Sequence, residues 1–160
     1  MSTTKTHTTE PIAIVAALNH CIVTCIDGEK GYATAAADVR NLALKSLFQR
    51  RAKERAAFAV ALEEAIQKLT TVPESERSPT SAVHSDWRDI RPRGTEGRTD
   101  RIIVEEWARA ERCAMKGYQR AIQRAPLATL PPEIRTLIHT QYAAIRAAVA
   151  EAVCQLTVVH

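Results

Sequence analysis

Apolar residues recur every three or four positions in four long stretches of the chain, which is the spacing of one face of an α-helix. The stretches cover about residues 11–40, 41–70, 99–125 and 134–156. Pro11 suits the first turn of the first helix, and Thr99 is a suitable N-cap for the third. The pattern therefore predicts an all-α protein with four helices.

The first helix contains a polar interruption, Asp27, Gly28 and Glu29, yet its apolar positions stay in phase on both sides. A true break would reset this phase, so one continuous helix is predicted. Glu29 then falls on the buried face, one turn after Cys25. Glycine in a helix interior costs roughly 1 kcal/mol relative to alanine, which is tolerable where a neighbouring backbone must approach closely. The interruption therefore indicates a polar site set into the core.

Residues 71–98 separate the second helix from the third. Antiparallel neighbours in a bundle are normally joined by about 2–8 residues, whereas a helix of about 29 residues is about 43 Å long and needs a long connection to return along it. This length predicts a ferritin-like four-helix bundle, in which two helical hairpins are joined by a long crossover and the second and third helices run parallel. Residues 81–90 are expected to form a short helix in the crossover, with Trp87 over one end of the bundle.

The length of 160 residues suits a single domain over residues 11–158, preceded by a disordered tail at 1–10. A net charge of +4, with charges of both signs, is that of an ordinary surface, and we expect no nucleic-acid partner. The apolar run Ile12–Ile26 is shorter than a membrane span, so no membrane association is expected. The four cysteines form no CxxC pair, which favours a reducing, cytoplasmic setting.

Polar residues occupy inward positions on all four helices. Buried charges persist only when they are paired and hydrogen-bonded, so these residues predict an internal polar network. Glu29 is expected to pair with Arg51 or Arg55, because all three lie at similar distances from the turn between the first two helices. Two roles stay open for the network: it fixes the register of the helices, or it binds a small anionic or polar ligand. Its predicted members are Glu29, Arg51, Arg55, Glu106 and Gln141.

A metal site is not favoured by these residues. Carboxylate-bridged di-iron bundles use Glu-x-x-His motifs, and the chain contains none. Arg51 and Arg55 stand where ligands would be needed and would repel a dication. Cys21 and Cys25 lie one turn apart, but two soft ligands do not make a zinc site, so we interpret them as small core residues.

Several segments of the chain, in order over about residues 15–150, resemble a bacterial ferritin-like four-helix-bundle family of unknown function. They include "DGEKGYATAAADV", "LKSLFQRRAKERAAFAVAL", "HSDW", "EEWARAERCAMKGY" and "LPPEIRTLIHTQY". The resemblance implies a bacterial, cytoplasmic bundle with a suspected stress-related role. Acidic residues are common in that family where this chain has Ala37 and Ala108, and a histidine is common near Val149. The ligands that remain for iron or manganese are Glu29, Glu106, Glu111 and His84.

These features predict a non-enzymatic structural or interaction protein, stress-associated and without a cofactor. We expect it to associate through exposed apolar faces, as a homodimer or with an unidentified protein partner. The alternative is a ferritin-like metal-binding or oxidative protein with a degenerate carboxylate site.

Overall fold

A computed structural model describes residues 9–70, 98–124 and 127–159. The described residues form four α-helices, with one short 3-10 turn at Leu127–Thr129 and no strand. The helices are α1 (Thr9–Asp38), α2 (Leu42–Leu69), α3 (Asp100–Arg124) and α4 (Pro132–Leu156). The prediction of an all-helical protein with four helices is confirmed, and α1 continues through Asp27, Gly28 and Glu29 without a break. It starts two residues before Pro11, inside the predicted tail, because proline is tolerated throughout the first turn of a helix.

The four helices form a bundle in which α1 packs against α2 and α3, and α4 packs against α3 and α2. Each of these neighbouring pairs is antiparallel, so α2 and α3 run in the same direction, as the sequence predicted. Residues 71–97, with the predicted crossover and its short helix, lie outside the described residues. The contacts that set the directions are Gly28–Arg55 and Tyr32–Phe48 for α1 and α2; Cys25–Tyr118 and Arg40–Asp100 for α1 and α3; Tyr118–Gln141 and Arg101–Val159 for α3 and α4; and Arg51–Glu151 and Phe58–Gln141 for α2 and α4.

Polar caps join the start of α2 and the start of α3 to one end of the bundle. The Asn41 side chain accepts hydrogen bonds from the backbone N–H groups of Ala43 and Leu44, at 2.9 and 3.1 Å. The Asp100 carboxylate accepts the N–H groups of Arg40 and Asn41, at 2.8 and 2.9 Å. The bonds to Asn41 satisfy donors that the start of α2 leaves free. The bonds to Asp100 hold the beginning of α3 against the α1–α2 turn.

The buried apolar residues form two clusters, one toward each end of the bundle. The cluster at the α1–α2 turn contains Tyr32, Phe48 and Trp107, whose ring centroids lie 5.1 to 6.3 Å apart. The other cluster lies around Leu18, Leu62 and the remaining aliphatic side chains. Two buried charged residues, Arg55 on α2 and Glu111 on α3, lie between the two clusters. The core is therefore divided by a polar layer near the middle of the bundle.

In the part of α1 from Ile12 to Asp38, a stretch of 18 residues has a mean hydropathy of 1.4, and by length and composition alone this helix could cross a membrane. It is the one such helix in the described part of the chain, and it is longer than the apolar run read from the sequence. Its inner face packs against α2 and α3 and places Tyr32 in contact with a buried carboxylate. A core helix of a soluble bundle meets the same criterion, so this helix is weak evidence for a span.

Candidate functional site

The polar layer is centred on an ion pair between Arg55 on α2 and Glu111 on α3. Arg55 is 1% exposed and Glu111 is 3% exposed. Nη2 of Arg55 donates to Oε2 of Glu111 at 2.6 Å, so the two opposite charges are in direct contact inside the core. A buried charge is stable only when an opposite charge and hydrogen bonds replace its water, and this pair supplies the first requirement.

Two aromatic side chains complete the hydrogen bonding of the carboxylate. The Tyr32 hydroxyl on α1 donates to Oε1 of Glu111 at 2.6 Å. Nε1 of Trp107 on α3 donates in turn to the Tyr32 hydroxyl oxygen at 2.8 Å. Both carboxylate oxygens are thus hydrogen-bonded, one by a cation and one by a phenol. This arrangement fixes Glu111 and joins three of the four helices.

The rest of the Arg55 guanidinium contacts aromatic faces. Its central carbon lies 5.9 Å from the ring centroid of Tyr32 and 5.8 Å from that of Phe58, distances at which a ring attracts a cation. Nε and Nη1 of Arg55 have no hydrogen-bond partner within the described residues. The cation is therefore held by one carboxylate and two rings, and the loss of the carboxylate would leave it without its main partner.

Gly28 on α1 makes room for the Arg55 side chain. A Cβ added at Gly28 would lie 3.3 Å from Cγ and 3.4 Å from Cδ of Arg55, tighter than ordinary van der Waals contact. A Cβ at Gly31 would meet nothing within 4 Å. The expected close approach at Gly28 is therefore present, although a side chain rather than a backbone approaches it.

A second branch of the network links α1, α3, α4 and α2 through neutral groups. The Tyr118 hydroxyl donates to Oε1 of Gln141 at 2.8 Å, and Nε2 of Gln141 donates to the Phe58 carbonyl at 3.2 Å. Sγ of Cys25 lies 3.0 Å from the same hydroxyl oxygen. Since the phenol has one proton and gives it to Gln141, the Cys25 thiol is the donor in the remaining contact. Gln141, a predicted member, lies in the buried network.

Burial keeps the titratable groups of this layer in their neutral forms, apart from the ion pair. It raises the pKa of the Cys21 thiol to about 12, with Cys25 as a secondary cause. Burial likewise raises the pKa of Cys25 and of the Tyr32 and Tyr118 hydroxyls. It also raises the pKa of the Glu111 carboxyl, whereas Arg55 and the Tyr32 hydrogen bond favour the charged form of that group.

The other predicted charges lie nearer the surface. Arg51 is half-buried and pairs with Glu54 at 2.9 Å and with Glu151 on α4 at 2.7 Å. Glu106 is half-buried and pairs with Arg98, which also contacts Asp38 of α1 at 2.7 Å. These pairs link helices at the rim, so Arg51 and Glu106 are not members of the fully buried layer.

The prediction that Glu29 pairs with Arg51 or Arg55 is wrong. Both arginines have other carboxylate partners, and Glu29 is half-buried with no ion pair in the described structure. The carboxylate that pairs with Arg55 is Glu111, which the sequence interpretation named only as an alternative metal ligand. A signal for it was present, because Glu111 lies four residues after Trp107 and seven before Tyr118, at helical spacing on the buried face.

The residues present do not fit the metal site that a ferritin-like fold would imply. In the described part of the chain, no group of three or more His, Cys, Asp or Glu side chains could hold a metal ion. Glu111 is bound to the Arg55 cation, and Glu106 is bound to Arg98 at the rim. His84, the fourth alternative ligand, lies outside the described residues. A dication beside Glu111 would have to displace or tolerate the adjacent guanidinium.

The comparison with known families gives a match over most of the chain. The model of a domain of unknown function, DUF2383, matches residues 13–124. The chain belongs to the DUF2383 family. The DUF2383 match covers nearly all of α1 and the whole of α2 and α3, and so includes Tyr32, Arg55, Trp107 and Glu111. Gln141 on α4 lies beyond the matched residues. A search of curated proteins found no match.

Proposed function

We propose that this protein is a non-enzymatic structural or interaction module, in which the central polar layer fixes how the four helices pair. The observation that carries the proposal is the buried contact between Arg55 and Glu111, closed by Tyr32 and Trp107. Each oxygen of this carboxylate already accepts a hydrogen bond from a group of the protein itself. The centre of the bundle is therefore built for internal contacts.

The buried pair acts through specificity rather than through added stability. Well-packed apolar residues of similar volume are often as stabilising as a buried ion pair. A shift of α2 by one turn, about 5.4 Å, would separate Arg55 from Glu111 and leave two unpaired charges in the core. The same shift would leave apolar side chains in apolar surroundings. Only the polar layer penalises the wrong register strongly, which is the role a single buried polar residue has in coiled coils.

We also propose that the connection between α2 and α3 is a ferritin-like crossover. The parallel directions of α2 and α3 support this, because α2 ends at the opposite end of the bundle from the start of α3. The Asp100 carboxylate lies against the α1–α2 turn, while α2 ends far from that turn at Leu69.

The association that we propose is a homodimer formed through exposed apolar side chains, in a soluble bacterial protein of the cytoplasm. Leu42 is 77% exposed and Val158 is 67% exposed, and both lie at the end of the bundle that carries the α1–α2 turn. A stress-associated role follows from the family resemblance alone. An unidentified protein partner would use the same apolar side chains.

Native mass spectrometry of the purified protein, with elemental analysis of the same sample, tests this proposal. We expect a dimer mass and no stoichiometric metal. Iron or manganese at one or more equivalents that is lost in Glu111→Ala would overturn the structural role of the layer. It would favour the metal-binding alternative instead. A monomer at all protein concentrations would refute the proposed homodimer but not the structural role of the polar layer.

A further inference from the structure

The outward side of α3 carries an uninterrupted row of cations in its second half. They follow one another at intervals of three or four residues, and the structure exposes every one of them. At about 1.5 Å per residue, the row is about 22 Å long. We call it the α3 basic surface; its members are Arg109, Arg112, Lys116, Arg120 and Arg124.

The cations of the α3 basic surface have no carboxylate partner within the part of the chain that the structure describes. None of them has an ion pair or hydrogen bond among the described residues, although several other arginines do, such as Arg51, Arg98 and Arg101. The only carboxylate of α3 between Arg109 and Arg124 is Glu111, which is buried and paired with Arg55. Among the described residues, the row is therefore a continuous set of unpaired cations on a surface of mixed charge.

We propose that the α3 basic surface binds the phosphate backbone of duplex nucleic acid, without reading its sequence. Four of the five cations are arginines, whose planar guanidinium groups match phosphate oxygens well. A row of about 22 Å spans about six base pairs at 3.4 Å each. Such contacts release condensed counterions, which supplies most of the free energy of sequence-independent binding.

The composition of the surface favours nucleic acid over a membrane or a protein. An interfacial membrane helix inserts its apolar face among lipids, but the apolar face of α3 is buried in the bundle. Protein interfaces have a central region depleted of charge and rich in apolar and aromatic side chains. No large apolar side chain is exposed between residues 109 and 124 of the described structure. Interfaces with nucleic acid are instead polar and strongly positive.

This proposal replaces the expectation of no nucleic-acid partner, which rested on the net charge of +4. That value averages over the whole chain, whereas binding depends on the local arrangement of unpaired cations. The residues involved are separate from the central polar layer, so the result of the following test does not depend on the proposed structural role.

The test is binding of the full chain to a labelled, mixed-sequence DNA duplex, measured by fluorescence anisotropy at several salt concentrations. For five phosphate contacts, the slope of log affinity against log salt should be about −4.5, an affinity loss of about 500-fold between about 50 and about 200 mM salt. The double variant Arg112→Glu, Lys116→Glu should bind at least about tenfold more weakly, with a slope shallower by about two.

The matched control is the double variant Arg50→Glu, Lys53→Glu, at two exposed positions of α2. It changes the net charge by the same amount as the test variant, but on a different helix. Its affinity should stay within about threefold of the wild type, and circular dichroism should show both variants folded. The proposal is overturned if the wild type does not bind the duplex at low salt, or if both variants lose affinity equally. Binding to anionic lipid vesicles or to poly-glutamate, without binding to the duplex, would overturn it in favour of those partners.

Discussion

Replacing Glu111 by alanine is the most direct perturbation of the polar layer. Arg55 is 1% exposed and its guanidinium lies 2.6 Å from the carboxylate, so the variant leaves a cation in the core without a counterion. The Tyr32 hydroxyl loses its acceptor as well. Removing one partner of a buried pair costs about 3–5 kcal/mol, a large fraction of the about 5–15 kcal/mol that stabilises a typical domain. The unfolding midpoint should fall by roughly 6–20 °C, at about 2–4 °C per kcal/mol.

Urea and thermal unfolding followed by far-UV circular dichroism measure this effect. Glu29→Ala is the control, because Glu29 lies on the same level of the bundle without an ion pair, and it should cost less than about 1 kcal/mol. The double variant Arg55→Met, Glu111→Leu removes both charges and should recover most of the loss. The reasoning is refuted if Glu111→Ala costs no more than Glu29→Ala, or if the double variant is no more stable than Glu111→Ala.

The other predictions concern the glycines and thiols of α1. Gly31→Ala should raise the free energy of unfolding by about 0.5–1 kcal/mol. Gly28→Ala should raise it less or lower it, because the new Cβ would lie 3.3 Å from Cγ of Arg55. Equal increases for the two variants, measured by urea unfolding, would contradict the close contact. At about pH 8 a thiol reagent should label only the two exposed cysteines of the native protein, because Cys21 and Cys25 are buried and their pKa values are raised. Labelling of all four thiols without denaturant would disprove this. Stability should be retained below about pH 8.5 and fall toward pH 12, because the unfolded thiols ionise near pH 8.5, while the pKa of folded Cys21 is about 12. Cys21 should lower the free energy of unfolding by about 1.4 kcal/mol per pH unit in that window, and a urea midpoint that does not change with pH would refute it.

The helices were predictable from the sequence because each depends on many residues at once. The phase of the apolar positions across Asp27, Gly28 and Glu29 was enough to predict one continuous helix, since a break would have shifted every later position. The cap predicted at Thr99 is a local signal that the structure uses. The directions of the helices followed from the length of the segment between α2 and α3. Such features average over many positions and tolerate an error at any one of them.

The partners within the polar layer depended on single positions, which the sequence could not resolve. Neighbouring residues on a helix differ by about 100° in direction, and a half-buried position such as Glu29 satisfies the same apolar spacing as a fully buried one. Arg55 has a long side chain that passes Gly28 and reaches α3, so the backbone position of an arginine does not determine which helix supplies its carboxylate. Height along the bundle was a sound guide to the level of the layer. It gave no information about which of the carboxylates at that level faced inward.

The polar interruption of α1 is best understood as one half of a contact whose other half lies on α2. Gly28 has no side chain of its own to offer, and its role is to leave the space that the Arg55 stem occupies. One turn later, Tyr32 supplies the hydroxyl that holds Glu111. The two positions together admit a buried cation and orient the anion that neutralises it. An alanine at Gly28 would require the Arg55 stem to shift by a few tenths of an ångström, and loss of the Tyr32 hydroxyl would remove the donor to Oε1 of Glu111. Either change would loosen the buried pair that distinguishes one register of the bundle from another.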